Sequence, residues 1–318
     1  MKKLLTIFLG FTAPAWADLK LETGEASVKV LDDGKLVTEY RTDWKVPYLY
    51  PLMSSSGANI TRHWPTKPGV EGEETDHPHH RSIWMGHGLV NGADFWSFKD
   101  TKNATIVHKG FDTGSAVNSG DKVTFTANLE WQAEGKKLID EKRTISVSKP
   151  SKTTLELDFT CALVAAEDIT FGDTKEGGLI ALRVAETMNE KQKEERPGGV
   201  ITNAYGATGM KDCWGKPAPW CDYSGPAGGI TVGITIMDFP KNPFYPIRYH
   251  VRDYGLFGAN PFGLSNFIAK GEDGSRILKQ GESWRLRFRV YVHAGDVKSG
   301  HVKEAYGNFA DAPLIKLQ

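Results

Sequence analysis

Residues 284–293 read WRLRFRVYVH, with Trp284, Leu286, Phe288, Val290 and Val292 in one register and Arg285, Arg287 and Arg289 in the other. Successive side chains of a strand point to opposite faces, so this period of two specifies a strand with one face in a core and one face charged. The same alternation recurs in residues 122–132, where Val123, Phe125, Ala127, Leu129 and Trp131 share a face, and again in 138–147, 153–163, 178–185 and 229–237. Residues 27–31 and 35–41 flank Asp32-Asp33-Gly34, a hairpin signal. Helical periodicity is scarce. Residues 186–195 read as a short exposed helix stopped by Pro197, and residues 296–308 as a terminal helix with Asp296 at its N-cap. Strands do not alternate with helices, and no linker, repeat or low-complexity tract divides the chain. The expectation is all-β: one large antiparallel β-sandwich with few short helices, spanning residues 18–318.

The N-terminus reads as a leader. Lys2 and Lys3 precede an apolar run over residues 4–11, and Ala15-Trp16-Ala17 gives the small-x-small exit that a signal peptidase accepts. The run is too short to span a bilayer, which takes about 20 residues. The expectation is a periplasmic or secreted protein, cleaved near Ala17, with no membrane span. Lys and Arg total 39 against 39 Asp and Glu. That balance argues against a nucleic-acid partner. Of the three cysteines, Cys161 sits in an apolar strand, while Cys213 and Cys221 bracket CWGKPAPWC. A disulfide between those two and a pair of separate thiols are equally compatible with the sequence.

Three long stretches do not alternate, at about residues 53–100, 205–228 and 249–266. Irregular segments of this length in a compact domain usually serve a function, and the expectation is that the three meet in one site. Five of nine histidines fall between residues 63 and 87: His63, His77, His79, His80 and His87. Imidazoles are costly to bury in numbers without partners. They bind metals, titrate near neutrality, or donate hydrogen bonds to a polar ligand. The spacing in DHPHHRSIWMGHG fits no established zinc pattern. No cofactor is therefore expected, with a divalent metal on His77, His79 and His87 as an alternative.

Acid–base work wants a carboxylate beside the imidazoles. Glu176 precedes a glycine pair, where the chain can approach a ligand closely, and Arg183 follows within the same strand. The catalytic candidates are His79, His80, Glu176 and His250. The substrate-binding candidates are His63, Arg81, Trp84, His87, Asn91, Trp96, Arg183, Trp220, Asp222, Arg252, Tyr254 and Asn260. Aromatic faces beside Asp, Asn, Arg and His suit sugars, which stack their C–H faces and hydrogen-bond through hydroxyls. The first functional expectation is an enzyme performing His/Glu acid–base chemistry on a small-molecule or oligosaccharide ligand, as epimerase, lyase or hydrolase. The second is a non-catalytic carbohydrate binder using Trp84, Trp96 and Trp220 as platforms. The third is a His-ligated metalloprotein.

PYLYPLMSSSGANITRHWP, DHPHHRSIWMGHGLVNGADFW, FGDTKEGGLIALRV, WGKPAPWCDYSGP and RDYGLFGANPFG, in this order, resemble the PmoA-like family of secreted bacterial proteins. That resemblance implies a shared pocket. At the level of fold, WRLRFRVYVHAG is similar to the late strand of galactose mutarotase-like proteins. This implies a supersandwich with a sugar site, in which His79 or His80 pairs with Glu176 while Arg81, Asp222 and His250 orient hydroxyls.

Overall fold

The structure is a computed structural model describing residues 18–193 and 195–313, with the side chains of Thr113 and Ser115 outside the description. The leader expected at residues 1–17 lies outside the described residues.

Two antiparallel sheets face each other. The eight-stranded sheet runs, edge to edge, Val200–Asn203, Trp220–Ala227, Ile230–Asp238, Ser283–Ala294, Thr154–Ala165, Lys136–Ser151, Lys122–Ala133 and Thr105–Val117. The nine-stranded sheet runs Tyr249–Val251, Leu256–Ala259, Gly177–Arg183, Ile83–His87, Tyr48–Leu52, Lys35–Arg41, Val28–Asp32, Leu19–Thr23 and Ser119–Gly120. Most of the alternating segments build the first sheet, while those at 27–31, 35–41 and 178–185 fall in the second. Leu286, Phe288, Val290 and Val292 are buried in the core as their period demands, and Arg289 turns outward to bond Asp158 at 2.6 and 2.9 Å. One apolar cluster takes residues from both sheets, and Met85 meets Cys161 across the interface at 3.6 Å. The hairpin forms as expected, with Asp33 and Gly34 at φ +49° and +73°, the left-handed pair that a two-residue turn requires.

Several local expectations need correction. Helix at residues 186–195 reduces to a 3₁₀ turn, Glu186–Met188. The terminal helix is Val302–Ala310 with His301 at its N-cap position. Asp296 instead accepts from the amides of Lys298 and Ser299 in the preceding turn. Trp220–Ala227 is a full strand that the proline- and tryptophan-rich composition obscured. Cys213 and Cys221 are free thiols, both buried.

Ile83–His87 and Gly177–Arg183 are buried at every position. They lie mid-sheet with the core on one face and loops on the other, so neither face has to be polar. Met85 points to the core, so Trp84 and Gly86 point to the outer face. There the loop at Phe95–Trp96 passes so close that a Cβ on Gly86 would sit 2.2 Å from the Phe95 carbonyl oxygen.

Candidate functional site

Register assembles the site. Residues directly opposite each other in an antiparallel pair share a face. His250 lies opposite Gly258, Gly258 opposite Ala181, and Ala181 opposite Trp84. The row Trp84–Ala181–Gly258–His250 therefore crosses four strands on the outer face, about 14 Å from end to end at the usual strand spacing. Its ends are large rings and its middle consists of Ala and Gly, a concavity in the sheet surface that is covered from solvent, since Trp84, Ala181 and His250 are 1 %, 0 % and 2 % exposed and Gly258 is buried.

A β-bulge brings in the carboxylate. Gly178 pairs with Gly86 and Ala181 with Trp84, so three residues of one strand span two of the other. The extra residue shifts the alternation by one. Glu176 and Gly178 thereby share the outer face with Ala181 and Arg183. The Gly88 amide donates to the Glu176 carbonyl at 2.7 Å and fixes the backbone there.

The loop preceding Ile83–His87 forms the wall. His77 stacks on His80 with ring centroids 4.7 Å apart and planes 7° apart, and on Tyr254 at 5.5 Å. His80 stacks in turn on Trp84 at 5.2 Å. The result is a four-ring column, Tyr254–His77–His80–Trp84, with His79 edge-on to His80 at 4.4 Å. Asp76 anchors it. Its carboxylate pairs with Arg62, accepts from Arg183 at 3.4 Å, and meets His77 Nδ1 at 2.6 Å. Arg62 also donates to the carbonyls of Asp76 and His77, both at 3.0 Å. Arg183 approaches His80 Nδ1 at 3.3 Å and lies 4.7 Å from the Tyr254 ring.

The charge states follow from burial and neighbours. Burial lowers His79 to about 4, aided by His77 and opposed by Glu176. Burial likewise lowers His250 to about 4 against the pull of Glu176. His80 lies well below the usual imidazole range through burial, then His79 and Arg183. Burial pushes the Glu176 carboxyl up, but its ion pair with Lys175 and the nearby His250 and His79 leave it below the ordinary value. At neutral pH the concavity thus presents one ionised carboxylate between two neutral imidazoles. Several buried polar atoms here have no partner among the described residues: His80 Nε2, Trp84 Nε1, Arg183 Nε, Arg252 Nε and both ring nitrogens of His250.

The sequence candidates divide accordingly. His79, Glu176, His250, Arg183, Arg252 and Tyr254 gather on this face; Glu176, Arg252 and Tyr254 reach solvent, while His79, Arg183 and His250 are buried. His80, Trp84 and Trp96 lie beneath the loop at 1 %, 1 % and 0 % exposure, so they shape the wall and cannot offer a face to a glycan. Trp220 packs against Phe309 and Val302 in a cluster on the far face of the other sheet. Asp222, in the same register of that strand, bonds His293 at 3.0 Å and Thr235 at 2.8 Å. Neither joins the site, and this corrects the tryptophan-platform expectation at all three tryptophans.

His87 points into the core beside Phe171 and Phe262, with Nε2 on the Gly172 carbonyl at 2.8 Å. It therefore lies across the sheet from His77, which rules out the metal set His77–His79–His87. Among the described residues no group of three or more His, Cys, Asp or Glu could hold a metal ion. His63 bonds Tyr50 at 2.6 Å, Arg81 covers Trp44 at 4.4 Å, and Asn91 binds the 167–170 turn, each away from the concavity. Asn260 supports it indirectly, donating to the carbonyls of Thr174 and Lys175 ahead of Glu176. Arg62 and Asp76 were not among the binding candidates. Only the buried guanidinium pair reveals their part, and no local pattern announces it.

A cavity of about 380 Å³ lies on the eight-stranded sheet, lined by Lys109, Glu130, Lys142 and Arg285 among others. Its charges pair locally, as Lys109–Glu130 and Lys142–Asp112 do, and none of its lining atoms is a buried orphan. The chemistry belongs with the histidine loop.

Fold and site together define a two-sheet antiparallel β-sandwich with a His/Glu concavity on the outer face of one sheet. The chain belongs to DUF6807, a family of unknown function, whose model matches residues 27–307. That family's description does not carry the PmoA-like label. No curated protein matches. Solved structures similar to the chain include a galactose mutarotase related enzyme from Lactobacillus acidophilus, at 11 % identity and TM-score 0.33, covering 87 % of this chain and 97 % of that one. A galactose mutarotase-like protein from Clostridium acetobutylicum gives 10 % identity and TM-score 0.38, covering 88 % and 99 %. A heparan sulfate lyase from Pedobacter heparinus gives 9 % and 0.36, covering 89 % and 36 %.

Proposed function

We propose that the protein is a carbohydrate-active enzyme, exported after cleavage near Ala17, that moves protons on a sugar or sugar derivative. The observation that carries this reading is the placement of Glu176, whose side chain reaches solvent, beside both His79 and His250. In this reading Glu176 is the base, taking a proton from a hydroxyl or an activated C–H. A neutral imidazole N–H, from His79 or His250, donates to the oxygen where negative charge develops. Glycoside hydrolysis by the usual route needs two working carboxylates. Asp76 and Glu186 are instead engaged with Arg62 and Arg183, which favours epimerase- or lyase-type proton transfer over hydrolysis.

The test is turnover on a panel of mono- and oligosaccharides with product analysis, for the wild type and Glu176→Gln. The expected result is product from the wild type and a loss of at least 100-fold in the variant, with the thermal midpoint within a few degrees. Binding without product over long incubation would overturn the catalytic reading and leave a binding protein. Recovery of a chain beginning at Asp18 from the periplasm or medium tests export, and an intact N-terminus at Met1 would refute it.

A further inference from the structure

Cys213 and Cys221 are free thiols that the proposed proton transfer does not use, and the fold brings them together. In the strand Trp220–Ala227, Trp220 faces the terminal helix, so Cys221 faces the core between the sheets. Cys221 lies opposite Asn203. The Ala204 amide donates to the Trp220 carbonyl at 3.1 Å. Asn203–Cys221 is therefore a non-hydrogen-bonded pair, the kind whose side chains approach most closely. Cys213 reaches the same place from the one-turn helix Met210–Cys213. Its Sγ donates to the Ala207 carbonyl at 3.3 Å, and that carbonyl also accepts from the Asn203 amide at 3.0 Å. Each thiol perturbs the other. The bond to Cys221 lowers the Cys213 thiol against its burial, while burial and then Cys213 hold Cys221 well above the usual thiol range.

The segment between the two cysteines supports the strand of His250. The Gly215 amide donates to the Tyr249 carbonyl at 2.8 Å, the Tyr249 amide to the Lys216 carbonyl at 3.3 Å, and the Ala218 amide to the Ile247 carbonyl at 3.0 Å. Arg248 donates to the Gly215 carbonyl at 2.6 Å. The Trp214 ring lies 6.4 Å from that of His250. Whatever fixes residues 213–221 therefore fixes the backbone beside His250.

We infer that Cys213 and Cys221 are a redox pair, oxidised to an intrachain disulfide by exchange with a small-molecule disulfide, and that the new bond locks the loop beside His250. In the first step the Cys213 thiolate attacks one sulfur of the co-reactant RSSR, forms a mixed disulfide and releases RS⁻. The Cys221 thiolate then attacks Cys213 Sγ and releases the second RS⁻. The two protons given up by the cysteines end on two molecules of RSH, so the protein loses two electrons and the co-reactant gains them. Cys213 attacks first because its thiol ionises more readily. It is 1 % exposed, but a single helical turn covers it, with Lys211 and Asp212 exposed and no side-chain cap at Gly209. One turn is marginal by itself and opens locally, which admits the co-reactant.

The experiment incubates the reduced chain with oxidised glutathione, both folded and during refolding from denaturant. Thiols are then alkylated in denaturant and the peptides mapped by mass. The expected result is alkylation at Cys161 alone and a linked 213–221 peptide lighter by two hydrogens. The oxidised protein should melt about 5 °C above the reduced one, the effect of closing a loop of nine residues. The His250 ring ¹⁵N signals should differ between the two forms while those of His87 stay in place. Cys213→Ser and Cys221→Ser should show no such differences. Alkylation of all three cysteines under both conditions, or a glutathione adduct that never resolves, overturns the redox pair. A disulfide that leaves the melting point or His250 unmoved overturns the lock on the loop.

Discussion

Lowering the pH from 7 toward 5 should destabilise this protein steeply, and the buried histidines set the size of the effect. His79, His87 and His250 each have a folded pKa of about 4 against 6.5 in an exposed chain, and burial holds His80 well below the usual imidazole range. A group whose pKa is depressed by folding binds its proton only on unfolding throughout the interval between the two values. Stability contributed by its neutral form is complete above the unfolded value and drains away as the pH falls toward the folded one. Each shift of about 2.5 units corresponds to about 3 kcal/mol when fully expressed. Near pH 5 the buried imidazoles should take up three to four protons on unfolding, a net uptake of about two to three once the buried Asp238 carboxyl is counted, and a slope of about 3–4 kcal/mol per pH unit. His63 and His108, lowered by burial to a smaller degree, add fractions of a proton. Asp238 opposes them: burial pushes its carboxyl up to about 7, so the folded protein holds a proton there that unfolding releases, and urea unfolding at intervals from pH 7 to 5 reads the imidazoles less that one proton. His79→Gln and His87→Gln should each remove about one proton from the slope. An uptake below one proton across that range would mean that these rings are solvated, and the neutral imidazoles assigned to the site would be lost with them.

Two further perturbations address the scaffold. A Cβ on Gly88 would sit 2.7 Å from the Glu176 carbonyl oxygen and 3.2 Å from its Cβ. Gly88→Ala should therefore cost about 1–3 kcal/mol by overpacking and reduce turnover roughly 10- to 100-fold by displacing the carboxylate; thermal melts and kinetics on one preparation would read both, and unchanged turnover would show that Glu176 needs no fixed position. Asp76→Asn strands Arg62 and Arg183, both fully buried, while Asp76 itself is 37 % exposed. The expected loss is about 2–3 kcal/mol, below that of a fully buried pair, and a neutral result in denaturant titrations would remove Asp76 as the anchor of the ring column.

Much of the fold was legible because the long strands of the eight-stranded sheet alternate. Arg287 and Arg289 mark their strand although both are buried, because Asp158 and Glu156 pair with Arg289 and the rings of Phe239 and Phe309 cover Arg287. Of the site strands, residues 178–185 were read as a strand, whereas Ile83–His87 gave no mark because loops cover the face opposite the core. The bulge at Gly178–Ala181 was invisible as well. Strict alternation would have put Glu176 and Arg183 on opposite faces, and the one extra residue unites them. His79, Glu176 and His250 were legible by residue type, as titratable groups in glycine-rich irregular stretches. Trp220 and Asp222 were misplaced for a related reason: their loop-like composition hid a strand whose even positions face the terminal helix. Asp76 and Arg62 escaped because their role is set by a contact between segments fourteen residues apart, which no periodicity encodes.

The central claim is that Glu176, His79 and His250 occupy one concavity. Ring ¹⁵N chemical shifts of the histidines at pH 7, compared between the wild type and Glu176→Gln, test it without knowledge of the substrate. Removing the carboxylate charge should move the His79 and His250 signals and leave those of core-facing His87 in place. If neither His79 nor His250 responds, or if His87 moves as far as they do, the three groups do not share a site.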